Sequence, residues 1–221
     1  MEREEFKKFV KMIRDVGLLC YRGNDYFKLI HHDHVYMVVD TQPDYLDDES
    51  LKIMEDEGLM GSGGSLKEPD INKTGFTKLL LTLDHLSKYK RRMEGGVNFV
   101  IGRVDNRIVI GHVDPSDDIF SDTKVEALEN IDGPDGVTIF NSDMINNVIS
   151  FLGFFKYEGT LSGFITLHFK EDMPLIIEKD RFRIYVAPIV LEYFDSVNII
   201  KKIKDYVAHG VNNVSQFEEE E

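Results

Sequence analysis

Apolar residues recur along this chain at two spacings, and the switch between them divides it into helices and strands. Phe6, Phe9, Val10 and Ile13 follow the i, i+3, i+4, i+7 rule of one buried helical stripe, so residues 2–16 predict an amphipathic helix that Gly17 ends. Lys7, Lys11 and Arg14 line a second stripe of that helix, with Lys8 beside it. Residues 18–21, 26–30 and 35–39 read as strands separated by turns at 23–25 and 31–34. Residues 45–54 predict a short helix. A second amphipathic helix is expected over 76–93: Phe76, Leu79, Leu80, Leu83 and Leu86 make its apolar face, and Lys78, Thr82, His85 and Arg92 lie opposite. Lys88, Lys90 and Arg91 crowd its end, where the helix dipole favours cations.

Residues 97–103 and 107–113 predict a hairpin across Asp105-Asn106, a pair that tolerates positive φ. Ile145, Val148, Ile149 and Leu152 mark a third helix over 142–152, with Ser142 as its N-cap. Residues 164–169, 175–178 and 181–186 then read as three antiparallel strands, and Pro188 after the last suits a sheet edge. Val197, Ile200, Ile203 and Val207 predict a final helix over 195–209. The pattern is therefore α+β: a helix followed by antiparallel strands, repeated.

Composition narrows what such a chain does. The single cysteine, Cys20, excludes an intrachain disulfide and a cysteine-rich zinc site, and its apolar neighbours suit a buried thiol. The sequence opens MEREEFKKF, without the apolar core of a signal peptide, and no run is long enough to span a bilayer. A soluble intracellular protein, in the cytoplasm of a prokaryote or an infected host cell, is expected. The formal net charge of −14 opposes nucleic-acid binding if spread evenly. It is not: acids gather in 40–70, 114–135 and the tail 218–221, whereas cations gather on the predicted helices.

The glycine-rich run at 58–65 lacks the Gly-Lys-Ser/Thr of a phosphate loop, and Lys67 is misplaced for one, so it reads as a loop or linker. His31, His32, Asp33 and His34 are the one metal-like cluster. Positions 32 and 34 would share a strand face, but no further ligand can be placed beside them. No metal or cofactor is expected.

Phe169, Asp172, Pro174 and Leu175, followed by Tyr185, Val186, Ala187 and Pro188, carry a more specific signal. A strand, then F…D-x-P-L, then a strand ending Y-[LV]-A-P resembles the last part of DNA sliding clamps, the family of proliferating cell nuclear antigen and its archaeal and viral relatives. The resemblance implies a processivity fold in which helices line a ring around duplex DNA and sheets lie outside. It implies a homo-oligomeric ring of two or three chains, a DNA polymerase and a clamp loader as partners, and no enzymatic activity. DNA-facing cations would be Lys7, Lys8, Lys11, Arg14, Lys78, Lys88, Lys90, Arg91 and Arg92. Docking of partner proteins would involve the connector and Ala187, Pro188 and Ile189.

In these terms residues 1–114 make an N-terminal clamp-like domain with an acidic, glycine-rich insert at 40–74. Residues 115–136 make the connector and 137–194 the C-terminal clamp-like domain; a helix over 195–210 and a disordered acidic tail over 211–221 follow. Two other readings are open to the sequence. A single-strand DNA binder would stack bases on Tyr21, Tyr26 and Phe27 beside Lys28, with its acidic tail as a partner hook. A metal-dependent hydrolase would use His32, His34 and the carboxylates Asp33 or Asp40.

Overall fold

The described residues of the computed structural model are 3–22, 27–31, 36–41, 46–61, 71, 73–90, 98–113, 124–157, 163–190 and 193–215. In chain order they form α1 (Arg3–Asp15), β1 (Leu18–Arg22), β2 (Phe27–His31), β3 (Tyr36–Asp40), α2 (Asp48–Asp56), β4 (Thr77–Thr82), α3 (Leu83–Ser87), β5 (Asn98–Val104), β6 (Arg107–Val113), β7 (Lys124–Asn130) and β8 (Gly136–Asn141). Helix α4 (Ser142–Tyr157), β9 (Phe164–Phe169), β10 (Leu175–Lys179), β11 (Phe182–Val186) and α5 (Tyr193–Ser215) complete them.

The chain divides into two compact units that alternate along the sequence. One comprises Met1–Ser87, Asn147–His168 and Leu175–Ala187; the other comprises Lys88–Asn146, Phe169–Pro174 and Pro188–Glu221. This differs from the expected consecutive domains at 1–114 and 137–194, and the reason is a strand pairing. β11 lies antiparallel beside β3, with Phe182 opposite Asp40 and Val186 opposite Tyr36. The first unit therefore holds the sheet β1-β2-β3-β11-β10-β9-β4, built from both ends of the chain. β11 is an interior strand, not an edge; Pro188 lies beyond its end and removes no ladder hydrogen bond.

In the first unit the stripe Phe6, Phe9, Val10 and Ile13 of α1 is buried throughout. Phe9 packs 5.8 Å from the rings of both Phe154 and Phe155, and Phe155 in turn lies 4.6 Å from Phe182. Arg181 lies over this aromatic cluster, 5.1 Å from the Phe182 centroid, and its Nε stands 3.4 Å from Oδ1 of the buried Asp40. A guanidinium held between ring faces and a carboxylate suits a partly desolvated site.

The expected helix over 76–93 is instead β4 and the five-residue α3. Leucines at 79, 80, 83 and 86 fit a helical stripe, but Thr77, Leu79 and Leu81 are buried while Lys78 and Leu80 are exposed, a period of two. Pairing beside β9 decided between the two patterns. Residues 91–93 lie outside the described set.

The second unit holds the sheet β7-β6-β5-β8. The β5–β6 hairpin turns at Asp105 and Asn106, whose φ of 49° and 59° are the two left-handed residues a two-residue turn needs. Residues 124–130 of the expected connector are the edge strand β7, with Ile110 opposite Glu126 and His112 opposite Lys124; 115–123 lie outside the described residues. Val100, Val104, Val109, Val113, Val137 and Ile139 face Ile199 and Ile203 of α5, which covers one sheet face. Helix α5 runs beyond the expected 195–210 at both ends, so residues 211–215 of the expected tail are helical; 216–221 lie outside the described residues. The cap of α4 is Asn141, whose side chain accepts from the Asp143 N–H at 2.8 Å, rather than Ser142. Ser142 is buried, and its hydroxyl lies 3.3 Å from Nδ1 of His112.

Two glycines separate packing from propensity. A Cβ on Gly102 would come within 2.3 Å of the Gly136 carbonyl oxygen, whereas one on Gly153, inside α4, would meet nothing within 4 Å. Gly102→Ala is expected to destabilise the protein by about 1–3 kcal/mol. Gly153→Ala is expected to stabilise it by about 0.5–1 kcal/mol. Urea denaturation of both variants checks the pair.

Candidate nucleic-acid interface

Helix α1 buries its apolar stripe and thereby turns Lys7, Lys8, Lys11 and Arg14 outward; all four are exposed. Spacings of three and four residues place Lys7, Lys11 and Arg14 along one face. Lys7 pairs with Glu4 at 2.6 Å, and Arg14 pairs with Glu57 at 2.9 Å. Lys8 and Lys11 make no ion pair among the described residues, so their charge is available to an external anion.

Among the described residues, the other expected DNA-facing positions do not join a second basic helix. Lys78 is exposed on β4, and Lys88 and Lys90 are exposed in the turn after α3. Arg91 and Arg92 lie outside the described residues. Helix α4 carries no cation over residues 142–155, as its sequence indicates.

Several other cations are engaged within the protein. In the second unit Lys204 of α5 reaches Oδ1 of Asp105 at 2.9 Å and Oδ2 of Asp135 at 2.6 Å, and Asp135 also accepts from the Asp105 N–H at 2.8 Å. The two carboxylates push the Lys204 pKa upward. Burial opposes ionisation of Asp135, but the hydrogen bonds from Lys204 and the Asp105 amide outweigh it and hold its pKa down. Lys204 thus ties α5 to the hairpin turn. Beside it opens a cleft of about 320 Å³, walled by Val104, Val109, Ala127 and Val207.

In the first unit Glu178 is the hub. It accepts from Lys73, from His168 Nε2 at 2.8 Å and from Arg183 Nε at 3.2 Å. Burial alone would raise its pKa; the hydrogen bonds from Lys73 and His168 prevail and bring it down to about 2. Sequence reasoning missed both hubs, because their partners lie far apart along the chain (Lys73 and Glu178 by 105 residues) and no local spacing marks them.

Ala187 is exposed; Pro188 is half-buried; Ile189 donates its N–H to the Ile139 carbonyl at 2.8 Å and keeps its side chain exposed. Phe27 and Lys28 are buried at 1% and 4% exposure, so they offer no stacking platform for bases. His31 is the buried last residue of β2 rather than part of a turn. His32, Asp33, His34 and Tyr26 lie outside the described residues. Among the described residues no group of three or more His, Cys, Asp or Glu side chains could hold a metal ion. No described helix is long and apolar enough to cross a membrane. Cys20 is buried, and burial pushes its thiol pKa up, which disfavours the nucleophilic thiolate.

No family model matches the sequence, and no curated protein matches it. Solved structures do match. The chain is similar to Proliferating Cellular Nuclear Antigen from Entamoeba histolytica, with a TM-score of 0.51 and 12% identity, over 84% of this chain and 95% of that one. It is also similar to DNA polymerase III subunit beta from Borrelia burgdorferi, with a TM-score of 0.50 and 15% identity, over 87% of this chain. The match spans 62% of the Borrelia chain. At such identity the likeness is one of fold: the chain has the α+β sliding-clamp fold, helices packed on antiparallel sheets.

The Glu178 hub fixes a pH response. Its folded pKa lies below its ordinary value of 4.5, so its stabilisation is fully present above that value and is lost as pH falls toward about 2. Glu178→Gln is expected to flatten the fall in melting temperature between pH 5 and about 2, followed by circular dichroism across that range.

Proposed function

We propose that this protein is a sliding clamp, a processivity factor whose copies close into a ring of two or three around duplex DNA. The observation that carries the reading is α1: a helix whose apolar stripe is wholly buried and whose outward face bears four cations, in a chain of net charge −14. Cations confined to a helix face attract phosphates without reading bases, which is what sliding requires. An acidic remainder discourages DNA from binding elsewhere. The fold likeness to clamps supports the same reading.

In this role the chain breaks no bond and needs no cofactor. Its partners are duplex DNA, a DNA polymerase and a clamp loader, and Ala187, Pro188 and Ile189 belong to the surface where those proteins dock. Lys7, Lys8, Lys11 and Arg14 face the DNA, with Lys8 and Lys11 carrying most of that helix's free charge; Lys78, Lys88 and Lys90 contribute from outside a second helix, and Arg91 and Arg92 contribute as well.

Lys8→Glu combined with Lys11→Glu is expected to lower polymerase processivity on a primed circular template at least tenfold. Both positions are exposed, so stability is expected to change by no more than about 0.5 kcal/mol. Unchanged processivity in the folded variant would remove α1 from the DNA path.

A further inference from the structure

In the second unit α5 covers one face of the sheet and leaves a cleft at the corner between the β5–β6 turn and the edge strand β7. Val104 stands opposite Arg107 across the hairpin, and cross-strand partners share a face, so Arg107 lies on the side that α5 covers. Val109 lies opposite Ala127 on that same side. Between these positions the register of β6 and β7 slips. Arg107 is opposite Asn130 and Val109 opposite Ala127, so three steps of β7 meet two of β6. Such a bulge bends the edge strand and sharpens its twist, and bulges gather beside binding sites. The cleft of about 320 Å³ opens here, walled by Val104, Val109, Ala127 and Val207, with Asp105, Lys204 and Arg107 about it. Small-molecule sites span roughly 300–1,000 Å³, so it is a small site of that class. Its polar groups are unequally engaged. Lys204 is held by Asp105 and Asp135 at 2.9 and 2.6 Å, whereas Arg107 is exposed and its guanidinium forms no ion pair among the described residues.

We propose that this cleft binds a medium-chain aliphatic carboxylate, its chain among the three valines and Ala127 and its carboxylate on Arg107. Two observations set that chemistry. The walls are aliphatic and carry no aromatic ring, so they match an alkyl chain and offer no stacking platform for a base. The unpaired charge among the lining residues is a guanidinium, whose planar fork meets a carboxylate through two parallel hydrogen bonds. A chain of net charge −14 repels anions in general, so affinity for a carboxylate has to arise locally, at Arg107. Bound there, the ligand touches β6, β7 and α5 at once, and the stability of the protein rises with its concentration. The site lies on the helix-covered face of its sheet and includes none of Lys7, Lys8, Lys11, Ala187, Pro188 or Ile189, so the inference is independent of the clamp reading.

The probe is sodium decanoate, titrated by isothermal calorimetry into the full-length protein without DNA. Saturable binding at submillimolar concentration is expected, and from hexanoate to decanoate affinity is expected to rise about two- to fourfold per methylene as the chain fills the cleft. Arg107→Gln, at an exposed position, is expected to weaken decanoate binding at least fivefold. Ala127→Leu places a larger side chain in the cleft and is expected to abolish it. Decyltrimethylammonium carries the same chain on a cationic head and is expected to bind at least fivefold more weakly than decanoate, against the pull of the acidic surface. Absence of saturable binding at millimolar decanoate overturns the proposal, as does an affinity that Arg107→Gln leaves unchanged or that favours the cationic amphiphile. Should circular dichroism show that Ala127→Leu fails to fold, Arg107→Gln and the chain-length series still decide. The assay contains no DNA or polymerase, so its failure leaves the clamp reading standing, and loss of processivity in the Lys8/Lys11 variant says nothing of the cleft.

Discussion

The junction of β3 with β11 is the constraint on which the first unit depends. It joins residues 140 apart in sequence, as the hydrogen bond from Thr41 Oγ1 to the Arg181 carbonyl marks. Closing so long a loop costs chain entropy, and the cost rises only slowly with length, so contacts at the seam must offset it once. They do so in a small volume. Val38 and Ile184 are opposite each other and fully buried, and Phe182 anchors the aromatic cluster that α1 and α4 share. Arg181 and Asp40 meet at the end of the same seam. Once it forms, α1 has a surface to bury against, and its cations are set outward as a consequence of its apolar stripe.

Charge is distributed by the same logic. The cations drawn into the described fold have assigned work: Arg181 with Asp40, Lys73 and Arg183 with Glu178, Lys204 with Asp105 and Asp135. Each neutralises carboxylates that a chain of net charge −14 has in excess. The exposed pairs among them, at Glu178 and Lys204, contribute little individually, and their value is positional: they fix a turn, a strap and a helix end. Lys8 and Lys11 of α1, like Lys78 and Lys88, meet no carboxylate among the described residues. In an acidic protein, unanswered cations lined along one helix face are available to an external anion.

Local periodicity made most elements legible. The stripe of α1, the Asp105-Asn106 turn and the strand sequence from Phe164 to Val186 all follow from side-chain spacing, and the Y-V-A-P resemblance named the fold that the structural likeness bears out. Three things were not legible, each for a physical reason. Thr77–Thr82 satisfies helix and strand patterns at once because leucine stands at 79, 80, 81 and 83, and only a neighbouring strand decides. Lys124–Asn130 mixes charged and apolar residues without a clear period, which looks like a connector until β6 supplies its ladder. The interleaving of the units and the Glu178 and Lys204 hubs depend on contacts between distant segments, on which residue spacing is silent.

The central claim is that this chain acts as a closed ring. Sedimentation equilibrium of the full chain, with negative-stain images of the same sample, tests it most directly. The account predicts a species of two or three times the 25.5 kDa chain mass, with a central opening wide enough for a DNA duplex. A monomer at every concentration up to the high micromolar range would contradict it.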